Sequence, residues 1–163
     1  MSTPPVRIRR ALAVDLPSIV RMLADDALGA RRERVEDPLP ASYRAAFEAI
    51  DRDPNNELVV AEGEDGTAVA VLQLTFTPGL SHQGGWRATI EGVRVDSRLR
   101  GSGLGHELLG WAIERSRQRG CRQVQLSTDK PRTAARRFYE SLGFVASHEG
   151  MKLPLTPPPA SAA

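Results

Sequence analysis

Apolar residues recur along the chain with two different periods, and the alternation of those periods predicts its elements. Residues 6–10 read as a short first strand. Leu16, Ile19, Val20, Leu23, Ala24 and Ala27 then follow helical spacing, with Asp15 as the expected N-cap, Pro17 in the first turn and Gly29 as the stop. A charged loop over 30–38 leads to a second helix over 40–52, with Tyr43, Phe47 and Ile50 on one face. Strands over 57–62 and 68–77 are joined at Gly63-Glu-Asp-Gly66, a hairpin signal. After a loop over 78–85 come a fourth strand at 88–95, a helix over 103–118 and a fifth strand at 123–127, whose apolar run reaches back to Cys121. The helix turns Leu104, Leu108, Leu109, Ala112 and Ile113 inward, and Gly120 stops it. A helix over 133–142, ended by Gly143, and a closing hairpin of 144–147 with 151–155 complete one expected domain, residues 1–155. Residues 156–163 are rich in Pro and Ala and are expected to form a disordered tail.

The size of the chain, 163 residues, suits one domain with one core. No apolar run approaches the roughly 20 residues of a membrane span, and the N-terminus lacks a signal-peptide stretch. One cysteine, Cys121, cannot form an internal disulfide, so a reducing cytoplasm is the expected compartment. Cys121 opens a buried strand and reads as core rather than as a nucleophile. The net charge is only +2, but it is divided: residues 98–137 hold ten Lys or Arg against three acids, and residues 11–66 hold thirteen acids against six arginines. A basic half suits a polyanionic ligand, and an acidic half suits either a cationic amine or plain solvation of helical surface. The basic segment lacks interleaved aromatics and a DNA-reading motif, so nucleic acid is not an expected partner.

Candidate chemistry centres on Arg100-Gly-Ser-Gly-Leu-Gly105, between the fourth strand and the helix that follows. Glycines there allow close approach to the backbone, and a helix start presents unpaired N–H groups and partial positive charge. This combination suits phosphate. It is not a P-loop, because no Lys-Ser or Lys-Thr follows the glycines. Nor is it a dinucleotide fingerprint, whose glycine spacing and distal acidic residue are missing.

The remaining pattern, Arg100-x-x-Gly103-x-Gly105, resembles the acetyl-CoA signature of the GNAT superfamily of N-acetyltransferases. About 35 residues on, Ala135-Arg-Arg-Phe-Tyr-Glu-Ser-Leu-Gly-Phe144 is similar to that family's second signature, and the order of elements is also the family's. The resemblance implies an α/β GNAT fold: a mixed central β-sheet splayed into a V and flanked by about four helices, with acetyl-CoA in the cleft. It implies direct transfer of an acetyl group to a primary amine, with acetyl-CoA as co-substrate, no metal, and a homodimer as a common assembly with the final hairpin as its interface. By the same resemblance the backbone edge of Val93, Arg94 and Val95 receives the pantetheine arm, beside a bulge expected at Gly92, and the Val93 N–H faces the developing oxyanion. Arg100, Gly101, Ser102, Gly103, Leu104, Gly105 and His106 hold the pyrophosphate, and Asp129 and Arg136 add cofactor contacts. Tyr139 is the expected general acid that returns a proton to the leaving thiolate. Glu91 is the expected base, directly or through water, because a carboxylate among Ile90, Val93 and Val95 is costly without a task or partner.

Two departures from the family pattern stand out. Arg132 occupies the position of an Asn that often contacts the CoA arm. Ile90-Glu-Gly-Val-Arg-Val95 and nearby pieces resemble the glucosamine-6-phosphate N-acetyltransferase branch, but Gly92 stands where that branch often has a second carboxylate. A small polar amine, such as an amino sugar, amino acid or polyamine, is the leading acceptor class. A protein N-terminus or lysine is the alternative, and a non-catalytic acyl-CoA sensor is a third reading.

Overall fold

Runs of Val, Ala and Leu form the centre of a five-stranded sheet because both of their faces are covered. The computed structural model describes residues 6–156. Its strands are β1 (Arg7–Arg10), β2 (Asn56–Glu62), β3 (Ala68–Pro78), β4 (Trp86–Val95) and β5 (Cys121–Leu126), side by side in that order. β1 to β4 pair antiparallel, whereas β4 and β5 are parallel. A parallel pair needs a crossover, and the helix between them supplies it. The helices are α1 (Leu16–Ala24), α2 (Gly29–Arg32), α3 (Ala41–Arg52), α4 (Ser81–Gly84), α5 (Leu104–Gln118) and α6 (Thr133–Ser141). α4 is a single turn that is left-handed at His82 and Gln83.

The chain forms two compact units, Met1–Leu126 and Ser127–Ala163. In the first, Ile19 and Met22 of α1 pack with Ala11, Val60, Ala68 and Val71, and Phe47 of α3 joins this layer. Leu108, Leu109 and Ala112 of α5 are fully buried, and α5 packs on β3, β4 and β5. At its C-terminal end the Arg119 guanidinium lies 4.3 Å from the centre of the Phe76 ring. The second unit contains α6, and the described residues after it form no helix or strand.

Most predicted elements are present within a residue or two, and the differences have local causes. Asp15 does not cap α1. Its carboxylate accepts from the Leu12 N–H at 2.7 Å and from the Arg9 guanidinium at 2.7 and 3.1 Å. The first helix ends at Ala24, not beyond Ala27. Gly29 begins α2 rather than ending a helix, and a Cβ there would run into the Leu23 carbonyl oxygen. The closing hairpin is not formed: 144–147 and 151–155 are not strands, and Val145, Met151, Leu153 and Leu155 are exposed. Two short strands without a covering layer gain too little burial to offset their ordering entropy. The predicted tail lies almost wholly outside the described residues.

Two buried carboxylates are held by arginines. Arg9 bridges Asp15, of which only 4% is exposed, and Glu62 at 2.6 Å, so it ties β1 to the edge of β2 and to the start of α1. Burial pushes the Asp15 carboxyl up, but the hydrogen bonds from Arg9 and Leu12 outweigh it and hold it below the usual range. Glu57 of β2, also buried, takes a forked contact from Arg115 of α5 at 2.6 to 3.2 Å. Arg9→Met leaves Asp15 without its partner and is expected to lower stability by about 2–3 kcal/mol, the solvent-facing side of Arg9 reducing the full buried-pair cost. The Asp15 carboxyl is lower in the folded than in the unfolded state. Its contribution is therefore full above about pH 4 and fades as the pH falls below that. Urea unfolding at pH 7 and at successively lower pH should show the gap between parent and variant closing with acid.

Candidate active site

β4 carries an extra residue. Val71 pairs with Arg94 and Gln73 with Glu91, so Gly92 and Val93 together face the single residue Leu72. Gly92 has φ +62°, a left-handed conformation that glycine adopts without a Cβ penalty. This is the bulge expected at that position. Pairing of β4 with β5 runs only from Trp86↔Cys121 to Ile90↔Leu126. Among the described residues, Glu91, Gly92, Val93, Arg94 and Val95 therefore have no strand on the β5 side. The Asp96 N–H bonds the Val69 carbonyl at 2.9 Å, so Asp96 faces β3. Backbone groups alternate sides along a strand, so those of Val93 and Val95 turn to the open side.

The bulge is followed at once by the glycine loop. The Asp96 side chain accepts from the Arg98 N–H and guanidinium at 2.9 to 3.0 Å and starts the tight turn Ser97–Leu99. The Arg98 guanidinium, then its N–H, holds the Asp96 carboxyl down to about 2. Gly101 and Gly103 are left-handed, with φ +82° and +91°. Gly103 is the residue from which α5 departs, and Leu104 is buried and anchors the helix start. The first-turn N–H groups of α5, that of Gly105 among them, have no acceptor within the helix. Ser102 accepts weakly from the Leu104 N–H at 3.4 Å. Behind the loop, Arg100 is exposed and pairs with Asp25, just past α1, at 2.7 Å.

Glu91 is exposed, which removes the burial cost expected for it from sequence. Among the described residues it makes no ion pair, and Arg94 pairs instead with Asp26 at 3.4 Å. His106 lies in the first turn of α5. Asp129, Arg136 and Tyr139 belong to the second unit. There, Asp129 is exposed and its carbonyl accepts the Arg132 N–H at 2.9 Å, and Arg136 pairs with Glu140 at 2.8 Å. The half-buried Tyr139 ring lies 5.3 Å from Phe138 and 6.0 Å from Phe144, centre to centre. Burial pushes the Cys121 thiol up, which disfavours the thiolate a nucleophile needs. No group of His, Cys, Asp and Glu among the described residues is placed to hold a metal ion, and no described helix is long and apolar enough to cross a membrane.

Sequence reasoning missed Asp25 and Asp26, which reach Arg100 at the start of the loop and Arg94 in β4 ahead of it. The signal was present: two acids at a helix C-terminus oppose the macrodipole and so call for a compensating partner.

An open strand edge running into a helix start on left-handed glycines fits a long ligand with hydrogen-bonding amides at one end and phosphate at the other. The fold is a mixed α/β architecture built on one five-stranded sheet. Residues 19–144 match the model of the acetyltransferase (GNAT) family, and the chain belongs to this family, whose members use acetyl-CoA as co-substrate. The chain is 35% identical over 107 residues to the aminoalkylphosphonate N-acetyltransferase of Salmonella typhimurium, covering 66% of this chain and 68% of that protein. It is 39% identical over 90 residues to the glucosamine 6-phosphate N-acetyltransferase of Trypanosoma brucei brucei, covering 55% of this chain and 56% of that protein. A crystal structure from Bacillus halodurans C-125, described as a transcriptional regulator, is 58% identical, with a TM-score of 0.88 over 91% of this chain and 99% of that one.

Two glycines in this region should respond in opposite ways to an added methyl group. Gly103→Ala forces a left-handed residue to carry a Cβ and is expected to cost about 1–2 kcal/mol. Gly110 lies inside α5, and nothing stands within 4 Å of the place its Cβ would take. Gly110→Ala is expected to stabilise by about 0.5–1 kcal/mol. Urea midpoints of the two variants should move in opposite directions.

Proposed function

We propose that this protein transfers the acetyl group of acetyl-CoA directly to the primary amine of a small polar molecule. The observation that carries the reading is the β4 edge, released from β5 beyond Ile90 and leading straight into the glycine loop. Acetyl-CoA supplies an acyl group already activated as a thioester. The edge of Val93, Arg94 and Val95 takes the amides of the pantetheine arm. Arg100 and the backbone of Gly101, Ser102, Gly103, Leu104, Gly105 and His106 take the pyrophosphate, with Asp129 and Arg136 as further cofactor contacts.

Glu91, exposed to solvent, accepts the proton that the attacking amine gives up, directly or through water. The Val93 N–H faces the acyl oxygen as negative charge gathers there. The carbon–nitrogen bond forms and the carbon–sulfur bond breaks, and Tyr139 gives the departing thiolate its proton. No protein nucleophile is required. The names of the Salmonella typhimurium and Trypanosoma brucei brucei relatives each specify an amine on a molecule that also carries a phosphate or phosphonate. That favours acceptors of this kind, ahead of free amino acids, polyamines and protein lysines or N-termini.

The Bacillus halodurans structure's description as a regulator supports a second reading, in which the chain binds acyl-CoA without turning it over. Thiol release from acetyl-CoA in the presence of glucosamine 6-phosphate, an aminoalkylphosphonate, spermidine or lysine separates the two. A catalyst gives acceptor-dependent thiol. Tyr139→Phe is then expected to lower kcat by about 10²-fold while acetyl-CoA affinity stays near the parent's. Binding without thiol release by the parent protein would leave only the sensor reading.

A further inference from the structure

We propose that Arg94, held by Asp26, is a positioning residue that fixes the open edge of β4 for acyl transfer. This rests on the acetyl-transfer reading and adds a role that the edge backbone alone does not supply. The Val93 carbonyl turns to the open side, where no described strand takes it. Instead the Arg94 Nη1 donates to it at 2.8 Å. A guanidinium that reaches back to the preceding carbonyl pins the peptide plane between Val93 and Arg94. The guanidinium is itself held: the Arg94 side chain is only 13% exposed, and its Nη2 lies 3.4 Å from Asp26 Oδ2. The other Asp26 oxygen, Oδ1, accepts the Gly29 N–H at 2.6 Å where α2 begins. The ties therefore run without a gap from the start of α2, through Asp26 and Arg94, to the bulged backbone.

The neighbouring pair, Asp25 with Arg100, is built differently. Its side chains are 45% and 52% exposed, as in an ordinary surface ion pair. Arg94 is enclosed, and its planar fork is suited to serving a carboxylate and a carbonyl together.

The need for such a tie follows from the bulge. An edge with a left-handed glycine and no partner on one side has lost the ladder bonds that normally fix peptide orientation. The tied peptide shares the Val93 Cα with the Gly92–Val93 peptide, which carries the Val93 N–H, so freeing the first lets the second turn and its donor leave the line of the developing oxyanion. Misplacement by about 1 Å is enough to cost on the order of 10²-fold in rate.

Arg94→Lys keeps the charge that faces Asp26 but loses the fork, and Asp26→Asn keeps an oxygen for the Gly29 N–H but loses the charge. For each, kcat for acceptor-dependent thiol release is expected to fall by about ten- to a hundredfold. The dissociation constant of CoA, read by calorimetry, should rise by a clearly smaller factor than kcat falls, because the glycine loop that takes the pyrophosphate is intact even where the pantetheine edge is loosened. The double variant should lose no more than Arg94→Lys alone, since both act through one tie. A lowered melting temperature with full kcat would show a purely structural tie and overturn the proposal. CoA affinity falling as far as kcat, or additive losses in the double variant, would also overturn it. If Arg94→Lys fails to fold, Asp26→Asn decides by the same two readouts. A parent protein that binds no acetyl-CoA overturns the acetyl-transfer reading and this proposal together. A parent that turns over while both single variants keep full kcat overturns this proposal only.

Discussion

One inserted residue in β4 organises the first unit. Because Gly92 and Val93 share a single partner on β3, the strand bends where its pairing with β5 ends. Before that point β4 is an interior strand with a neighbour on each side. Beyond it the same strand is an edge, with the backbone of Val93 and Val95 turned outward. An exposed edge is normally a hazard, since it invites pairing with another chain. Here it is short, and it runs directly into a tight turn and a helix start. The bulge thus leaves a short stretch of backbone free of ladder bonds on the β5 side, just ahead of the glycine loop.

The charges around that surface are arranged as ties. Four carboxylates, Asp15, Asp25, Asp26 and Glu57, each meet an arginine from a distant part of the chain or from an adjoining element. Asp15 and Glu57 are deeply buried, and their arginines brace β1, β2 and α5. Asp25 and Asp26 sit where α1 ends and reach the last turn of the β4–α5 connection before its glycines and the end of β4. The acidic half of the sequence is therefore not simply a solvated surface facing a basic half. Part of it is taken up by arginines, Arg100 and Arg115 of that basic half and Arg9 and Arg94 outside it, which leaves less of it to attract a cationic acceptor than a count of charges suggests.

Much of the candidate site was legible in the sequence because its parts are local. A glycine with positive φ at the bulge, two more in the loop and a helical repeat from Leu104 onward are each set by a few adjacent residues. The errors fell where long-range partners decide. Asp15 looks like a cap by its position, but Arg9 lies beside it in space and Leu12 offers an N–H. Glu91 looked costly among apolar neighbours in sequence, yet alternation and the bulge bring it to the surface. The hairpin over 144–155 has the right apolar alternation, but alternation says only that a segment fits a half-buried surface, not that such a surface is available to it.

The sequence by itself determined the five strands and the three longer helices of the first unit, though not the single turns α2 and α4 within its expected loops, and with them the glycine turn before α5 and the family to which the chain belongs. These depend on local backbone preference and on the period of apolar residues, both of which are written in consecutive positions. Only the tertiary structure decided where β5 leaves β4, which carboxylates are spoken for by arginines, and that Arg94 turns back onto the Val93 carbonyl. The departure of β5 and the Asp26 partner that holds Arg94 turned back depend on residues that meet across tens of positions of chain, and the sequence carries no period or spacing that encodes such meetings.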